Sequence, residues 1–382
     1  MKKESTIYFE GLNGLRFFAA LAVIITHVEL IKGVFKFKHY WNNPIIFNLG
    51  GLGVYFFFVL SGFLITYLLL SEKQKFNKIE IKQFYLRRIF RIWPLYYFII
   101  IVGFFILPQY SCFHISYLQK DFESHFYGNL FLYLIILPNL AYSMFSAVPN
   151  IGQVWSIGIE EQFYILWPLI IAKSKNIIKT LVYIMIGLIL LKIGILVLGF
   201  FVHDATWYIS LKKFVAMSKF ECMALGGIGA VMLFNKHVFL KYFLNKQLLS
   251  LSLILIPCLI FLTPPSIQDG IHLAYSFLFL VIIIHVSAGK VKLNLENDVL
   301  NYLGKISYGI YMYHFMVIPF VLWLCKRYLI VDSEVLMNII IYTLTILLTI
   351  IVSGLSYKFF ELPFIKMKSK YSPIKSGKLA DH

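Results

Sequence analysis

Long apolar runs separated by short polar, lysine-bearing stretches set the pattern of the chain. Ten such runs, at 12–31, 50–70, 89–107, 155–172, 177–200, 213–233, 247–263, 270–286, 301–323 and 336–359, approach the length that crosses hydrocarbon as a helix. That length is about 20 residues at about 1.5 Å of rise each. The pattern predicts an all-α, polytopic integral membrane protein with about ten transmembrane helices. Segment 128–146 (GNLFLYLIILPNLAYSMFS) is also apolar. Counting it as a span would invert every later loop, so it is expected to be an interfacial or re-entrant element on the outer face.

Composition sharpens this picture. The 382 residues are 60% hydrophobic and 14% charged, against about 45–50% and 25% in a soluble domain. Mean hydropathy is +0.79. The net charge of +17 would suggest nucleic-acid binding in a soluble protein, but here the basic residues sit in loops between spans. With the N-terminus inside, 22 Lys and Arg fall in or beside inner loops and tails, and eight fall outside, Lys32, Lys36 and Lys38 among them. That bias favours both termini in the cytoplasm and no nucleic-acid partner. The first apolar stretch is too long for a signal-peptide core and lacks a clear cleavage site, so it is read as a retained span. Cys112, Cys222, Cys258 and Cys325 show no CxxC spacing; neither a metal site nor a disulfide framework is expected. The basic stretch after residue 365 is expected to be a mobile tail.

Against this background, ionisable residues inside spans stand out, because charge at depth is costly and marks function. Arg16 and His27 share the first span. Eleven residues place them within about 20° of one face and about 16 Å apart along it. A guanidinium suits phosphate, and a histidine suits proton transfer. One continuous path is therefore expected, with phosphates held at Arg16 and a reacting group near His27. FYLRRIFRIWP adds Arg87, Arg88 and Arg91 at the inner mouth of the third span; with Arg16 these are four of the chain's five arginines. WSIGIEEQFYILWP places Glu160 and Glu161 in the fourth span, with Glu160 expected to orient His27. Ser61 and Gly62 lie mid-span in FFFVLSGFLI, where small residues permit close helix approach. Tyr308, Tyr311 and His314 recur every three residues in ISYGIYMYHF and are expected to line the same cavity, His314 being the second candidate base. Glu361 is a possible partner for the arginines.

Taken together, the Arg16–His27 spacing, FFFVLSGFLI, FYLRRIFRIWP, WSIGIEEQFYILWP and LGKISYGIYMYH resemble, in order, the motifs of the bacterial membrane acyltransferase-3 family, whose members O-acylate surface polysaccharides. The resemblance covers about residues 8–365. It implies a membrane acyltransferase domain over 1–365 with a short basic cytoplasmic tail at 366–382, in the bacterial cytoplasmic (inner) membrane. It also implies an acyl-CoA donor, most often acetyl-CoA, no metal, and a saccharide acceptor, cell-surface or lipid-linked. His27 would take the catalytic role, assisted by Glu160 and Arg16, with Arg16, Arg87, Arg88 and Arg91 binding the donor. Ser61, Glu161, Tyr308, Tyr311 and His314 would line the cavity. The chain departs from many relatives at Tyr55, where they carry an acidic residue. Two other classes fit the hydropathy: a transporter or flippase for a lipid-linked saccharide, although no paired repeats are evident, and a scaffold subunit of a polysaccharide machine.

Overall fold

Each of the ten apolar runs is helical in the computed structural model, which describes residues 6–264, 267, 270–291, 295–372 and 374–376. The first helices are α1 (Leu12–Lys32), α2 (Pro44–Phe76) and α3 (Ile81–Ile101), the last continuing through a π turn to 106 and a 3-10 turn to Gln109. Helix α2 is started by the Asn43 side chain, which accepts from the Ile45 N–H at 2.9 Å, and by Pro44 in the first turn. Proline is tolerated there because that N–H would lack a partner in any case. Its 33 residues extend to about 50 Å, well beyond the roughly 30 Å of hydrocarbon.

Segment 128–146 does not span. It folds into α5 (Phe126–Leu134) and α6 (Pro138–Met144), preceded by α4 (Ser116–Ser124); none exceeds nine residues. The chain then runs through α7 (Trp155–Lys173), α8 (Ile177–Val202), α9 (Thr206–Met217), α10 (Phe220–Phe234), the single turn α11 (Leu240–Phe243), α12 (Lys246–Leu262) and α13 (His272–Ser287). It ends with α14 (Asp298–Lys305), α15 (Ser307–Tyr328), α16 (Glu334–Ser356), a π turn at 357–361 and α17 (Leu362–Ser369).

Two expected spans are broken. The run at 301–323 divides at Ile306 into amphipathic α14 and the deeply buried α15. The run at 213–233 begins inside α9 and breaks at Ser218–Lys219 before α10. Among the described residues, seven helical stretches are long and apolar enough to cross alone; α12 and α13 are shorter, at 17 and 16 residues. Apart from one two-residue strand pair, the described residues are helices and their connections, and the protein is a polytopic membrane protein. Helices α8 and α16 lie at its rim, with Phe200 and Phe201 84% and 79% exposed, as expected where the solvent is lipid rather than water.

Small residues set the tightest crossing, between α2 and α10. A Cβ on Gly62 would lie 1.9 Å from the Met223 carbonyl oxygen, and one on Gly226 would lie 2.0 Å from that of Val59. The backbones touch, which maximises dispersion where apolar side chains gain nothing from leaving lipid.

At the far end of α1 from Arg16, Lys32 and Glu29 are each 1% exposed and joined at 2.7 Å. Lys32 also donates to Asn338 Oδ1 (2.7 Å), while Glu29 accepts from the Tyr342 hydroxyl (2.7 Å) and the Tyr40 N–H (2.5 Å). Lys32 is thus an interior residue and not the loop lysine the charge count takes it for.

The C-terminal stretch is not a free tail as far as residue 376. Helix α17 packs on α3. Tyr371 stacks on Phe90 at 5.7 Å and accepts from Arg87 Nη1 at 2.9 Å through its carbonyl. Residues Lys375–Ser376 (β2) then pair in parallel with Thr6–Ile7 (β1).

Candidate active site

Helices α1, α2, α3, α7, α14 and α15 enclose a cavity of about 190 Å³, below the ~300–1,000 Å³ of a pocket that encloses a drug-sized ligand. Its polar wall carries Arg16, Ser61, Arg88, Arg91, Ser156, Glu160, Tyr164, Ser307, Tyr308 and Tyr311. Of the residues singled out in the sequence, Arg16, Arg88, Arg91, Ser61, Glu160, Tyr308 and Tyr311 are brought together here. The others are not.

The arginines divide by role. Arg16, Arg88 and Arg91 face the cavity, and none has a carboxylate within 4 Å among the described residues. Arg16 donates to Asn13 Oδ1 at 3.2 Å. Arg88 lies over the Phe84 and Tyr164 rings, and its Nε is buried without a partner. Three converging guanidiniums with spare donors have the chemistry to hold an anion. Arg87, expected in this group, points elsewhere, because one residue of helix is about 100° of rotation. It is buried against Glu72 at 2.8 Å and bound to the Tyr371 carbonyl, so it holds structure. Glu361 accepts from Ser356 at 3.2 Å and has no arginine within 4 Å.

The adjacent glutamates also part. Glu160 faces the cavity and accepts from the Tyr164 hydroxyl at 3.1 Å, and Tyr164 lies 2.5 Å from Ser61 Oγ. Since the Tyr164 proton is given to the carboxylate, Ser61 donates to Tyr164, forming a Ser61–Tyr164–Glu160 wire. Glu161 lies outside the cavity wall and accepts from Trp93 Nε1 at 2.8 Å. Ser156, Glu160 and Tyr164 recur every four residues, which is the signal by which Ser156 and Tyr164 are recoverable from sequence.

Glu160 does not orient His27. The partner of His27 is His314, at 2.8 Å between His27 Nδ1 and His314 Nε2, with the rings stacked at 5.0 Å. The tautomers follow from one further contact. His314 Nδ1 lies 2.7 Å from the Tyr311 carbonyl oxygen, which can only accept, so His314 carries its proton on Nδ1. Its Nε2 is then a lone pair, and His27 must donate to it from Nδ1. The outcome is a bare Nε2 on His27, with no hydrogen-bond partner among the described residues.

Neither histidine lines the cavity, and the expected continuous path from Arg16 to His27 is not formed. Tyr311 and Phe57 line the cavity and pack together, with ring centroids 6.2 Å apart, and Tyr311 lies 5.7 Å from His314. The Tyr311 hydroxyl is held by Ser156 (2.7 Å) and the Gln153 carbonyl (3.1 Å). On α15 the residues Ser307, Tyr311 and His314 step along one face from the arginines to the histidine pair. Tyr308 lines the cavity while its hydroxyl donates to the Ile92 carbonyl at 3.0 Å.

A second ionic cluster, to which sequence assigned nothing, lies away from the cavity. Glu221 on α10 pairs with Lys192 and, at 2.6 Å, with His272. Tyr55 packs beside it, 6.0 Å from the His272 ring and 5.7 Å beneath Lys219 Nζ.

Arginines thus converge within a polytopic bundle, one helix face from an imidazole pair. A family model described as "Acyltransferase domain" matches residues 9–358, and the protein belongs to that family. Among curated proteins it is 29% identical to "O-acetyltransferase OatA" of Staphylococcus aureus (strain NCTC 8325 / PS 47), across 99% of this chain and 61% of that protein. It is 33% identical to "Putative O-acetyltransferase SACOL0978" of Staphylococcus aureus (strain COL), across 96% of this chain and 58% of that protein. The chain thus spans about three fifths of the length of these relatives. No solved structure matches it significantly.

Proposed function

We propose that this protein is an O-acyltransferase, moving an acyl group, acetyl by preference, from acyl-CoA to a hydroxyl of a cell-surface or lipid-linked saccharide at the bacterial cytoplasmic membrane. The observation that carries the reading is the cavity in which Arg16, Arg88 and Arg91 converge with no ion-pair partner among the described residues. Family membership supports acyl transfer, and the names of the relatives support acetyl as the group and oxygen as the acceptor atom.

In this reading the donor enters from the cytoplasmic side, and its phosphates lie against Arg16, Arg88 and Arg91. The cavity is too small to enclose a whole coenzyme, so it takes only part of the donor. Rotation of Phe57 and Tyr311 then opens the way to His27. His27 Nε2 accepts the proton of the attacking hydroxyl as that oxygen bonds to the thioester carbonyl carbon, and the thiolate leaves. Alternatively, Nε2 attacks first and carries the acyl group briefly. Both routes need the unprotonated Nε2 that the His314 contact provides.

Mass spectrometry of surface glycans from cells with and without the protein tests the reading. It requires a loss of one acyl unit per modified sugar in its absence, restored by wild-type protein but not by His27→Ala at equal expression. Glycan transport that depends on the protein, with no change of glycan mass, would refute it.

A further inference from the structure

The break between α14 and α15 lies at the arginine cavity. Gly304 in the last turn of α14 lines it, as do Ser307 and Tyr308 in the first turn of α15. An α-helix leaves its first N–H groups without intrahelical partners. Those of Ser307, Tyr308 and Gly309 have no hydrogen-bond partner among the described residues. Ile306, at the capping position, has no polar side chain to offer them. Ser307 is only 6% exposed, yet its hydroxyl also lacks a hydrogen-bond partner among the described residues.

Two contacts fix this turn between the arginines. A Cβ on Gly304 would lie 2.3 Å from the Asn13 carbonyl oxygen, so the break rests on the first turn of α1. There the Asn13 side chain accepts from Arg16. On the other side, the Tyr308 hydroxyl donates to the carbonyl of Ile92, the residue after Arg91. The one carboxylate on the cavity wall is Glu160, which Tyr164 engages. Glu361 lies off that wall, 3.4 Å from where a Gly309 Cβ would stand, and accepts from Ser356 and from none of the three N–H groups.

Unpaired donors are costly in a chain surrounded by hydrocarbon. One ligand relieves both sets at once: an anion with several oxygens, held by a helix start on one side and guanidiniums on the others. Donors arriving from different helices suit a tetrahedral oxyanion better than a planar carboxylate.

We propose that the first turn of α15 is a further wall of the anion site, its Ser307 hydroxyl and free N–H groups closing on a phosphate group whose other oxygens face Arg16, Arg88 and Arg91. This rests on the reading of the arginine cavity as a phosphate site, but not on acyl transfer itself.

The test uses the full chain purified in detergent, with the unfolding midpoint as readout. The probes are CoA, which carries phosphates, and pantetheine, which carries none. CoA should protect the wild type and pantetheine should not. Ser307→Ala should need about tenfold more CoA for equal protection, having lost a hydrogen bond to a charged group. Without any ligand, Ser307→Asp should unfold at a higher temperature than Ser307→Asn, because its carboxylate would stand at a helix start among guanidiniums. It should also lose protection by CoA. A lower midpoint for Ser307→Asp than for Ser307→Asn would overturn the proposal, since the position would then behave as an ordinary buried one. Equal protection of Ser307→Ala and wild type would overturn it too, while leaving the donor reading intact. A stabilised Ser307→Asp in a protein that CoA does not protect would support the anion site and remove acyl-CoA as its ligand.

Discussion

Replacing His314 isolates the contact that leaves His27 with a bare Nε2. In the wild type His27 Nδ1 donates to His314 Nε2 at 2.8 Å, because His314 Nδ1 is committed to the Tyr311 carbonyl at 2.7 Å. In His314→Leu a side chain of related bulk removes the acceptor, and the His27 Nδ1 proton then faces an apolar wall that includes Phe315, at 4.8 Å between rings. A buried donor without a partner costs about 1–3 kcal/mol. The imidazole escapes that cost by moving its proton to Nε2, the nitrogen needed as base. The reactive tautomer, and with it the transfer rate, should fall by roughly 5- to 150-fold. His314→Gln offers a carbonyl oxygen as acceptor and should recover most of the rate, although it cannot titrate. The assay is donor-dependent acyl transfer in washed membranes, normalised to the amount of protein. The reasoning is refuted by a wild-type rate in His314→Leu, or by a Gln variant as impaired as the Leu one.

Three further outcomes are expected. Gly62→Ala places a methyl 1.9 Å from the Met223 carbonyl oxygen, so α2 and α10 must part; a loss of about 1–3 kcal/mol should appear as a lower unfolding midpoint in detergent, and Gly226→Ala combined with it should cost less than the sum. Arg87→Ala strands Glu72, 2% exposed, and should lower folded yield by an amount matching the roughly 3–5 kcal/mol of a broken buried pair; Arg88→Ala should instead raise donor KM with little change in yield. Tyr164→Phe cuts the Ser61–Glu160 wire by removing a bond to a carboxylate worth about 1.5–3 kcal/mol; the unfolding midpoint in detergent should fall to match, and an unaltered midpoint would show that the wire adds nothing to stability.

The spans were legible because each needs its own apolar run near 20 residues long, and local composition records that. The breaks at Ile306 and at Ser218–Lys219 were not, because an apolar run reads the same whether one helix or two carry it. Of the residues that charge at depth singles out, Arg16, Arg88, Arg91 and Glu160 come together at one cavity. Neighbours in sequence could not be told apart: Arg87 and Glu161 point away from the cavity that Arg88 and Glu160 line, a matter of helix rotation finer than a boundary estimate. The partner of His27 lies 287 residues along the chain, beyond any local spacing rule, and all that links Glu160 to His27 in the sequence is a similar expected depth.

The Glu29–Lys32 pair reaches beyond the site. With both ions shut away from solvent, a change at either one alone leaves a naked charge in the interior, whereas exchanging both for apolar groups is tolerable. Drift at these two positions is therefore coupled: lineages descending from this sequence should alter them jointly or keep both, and Asn338 and Tyr342 should change only alongside them.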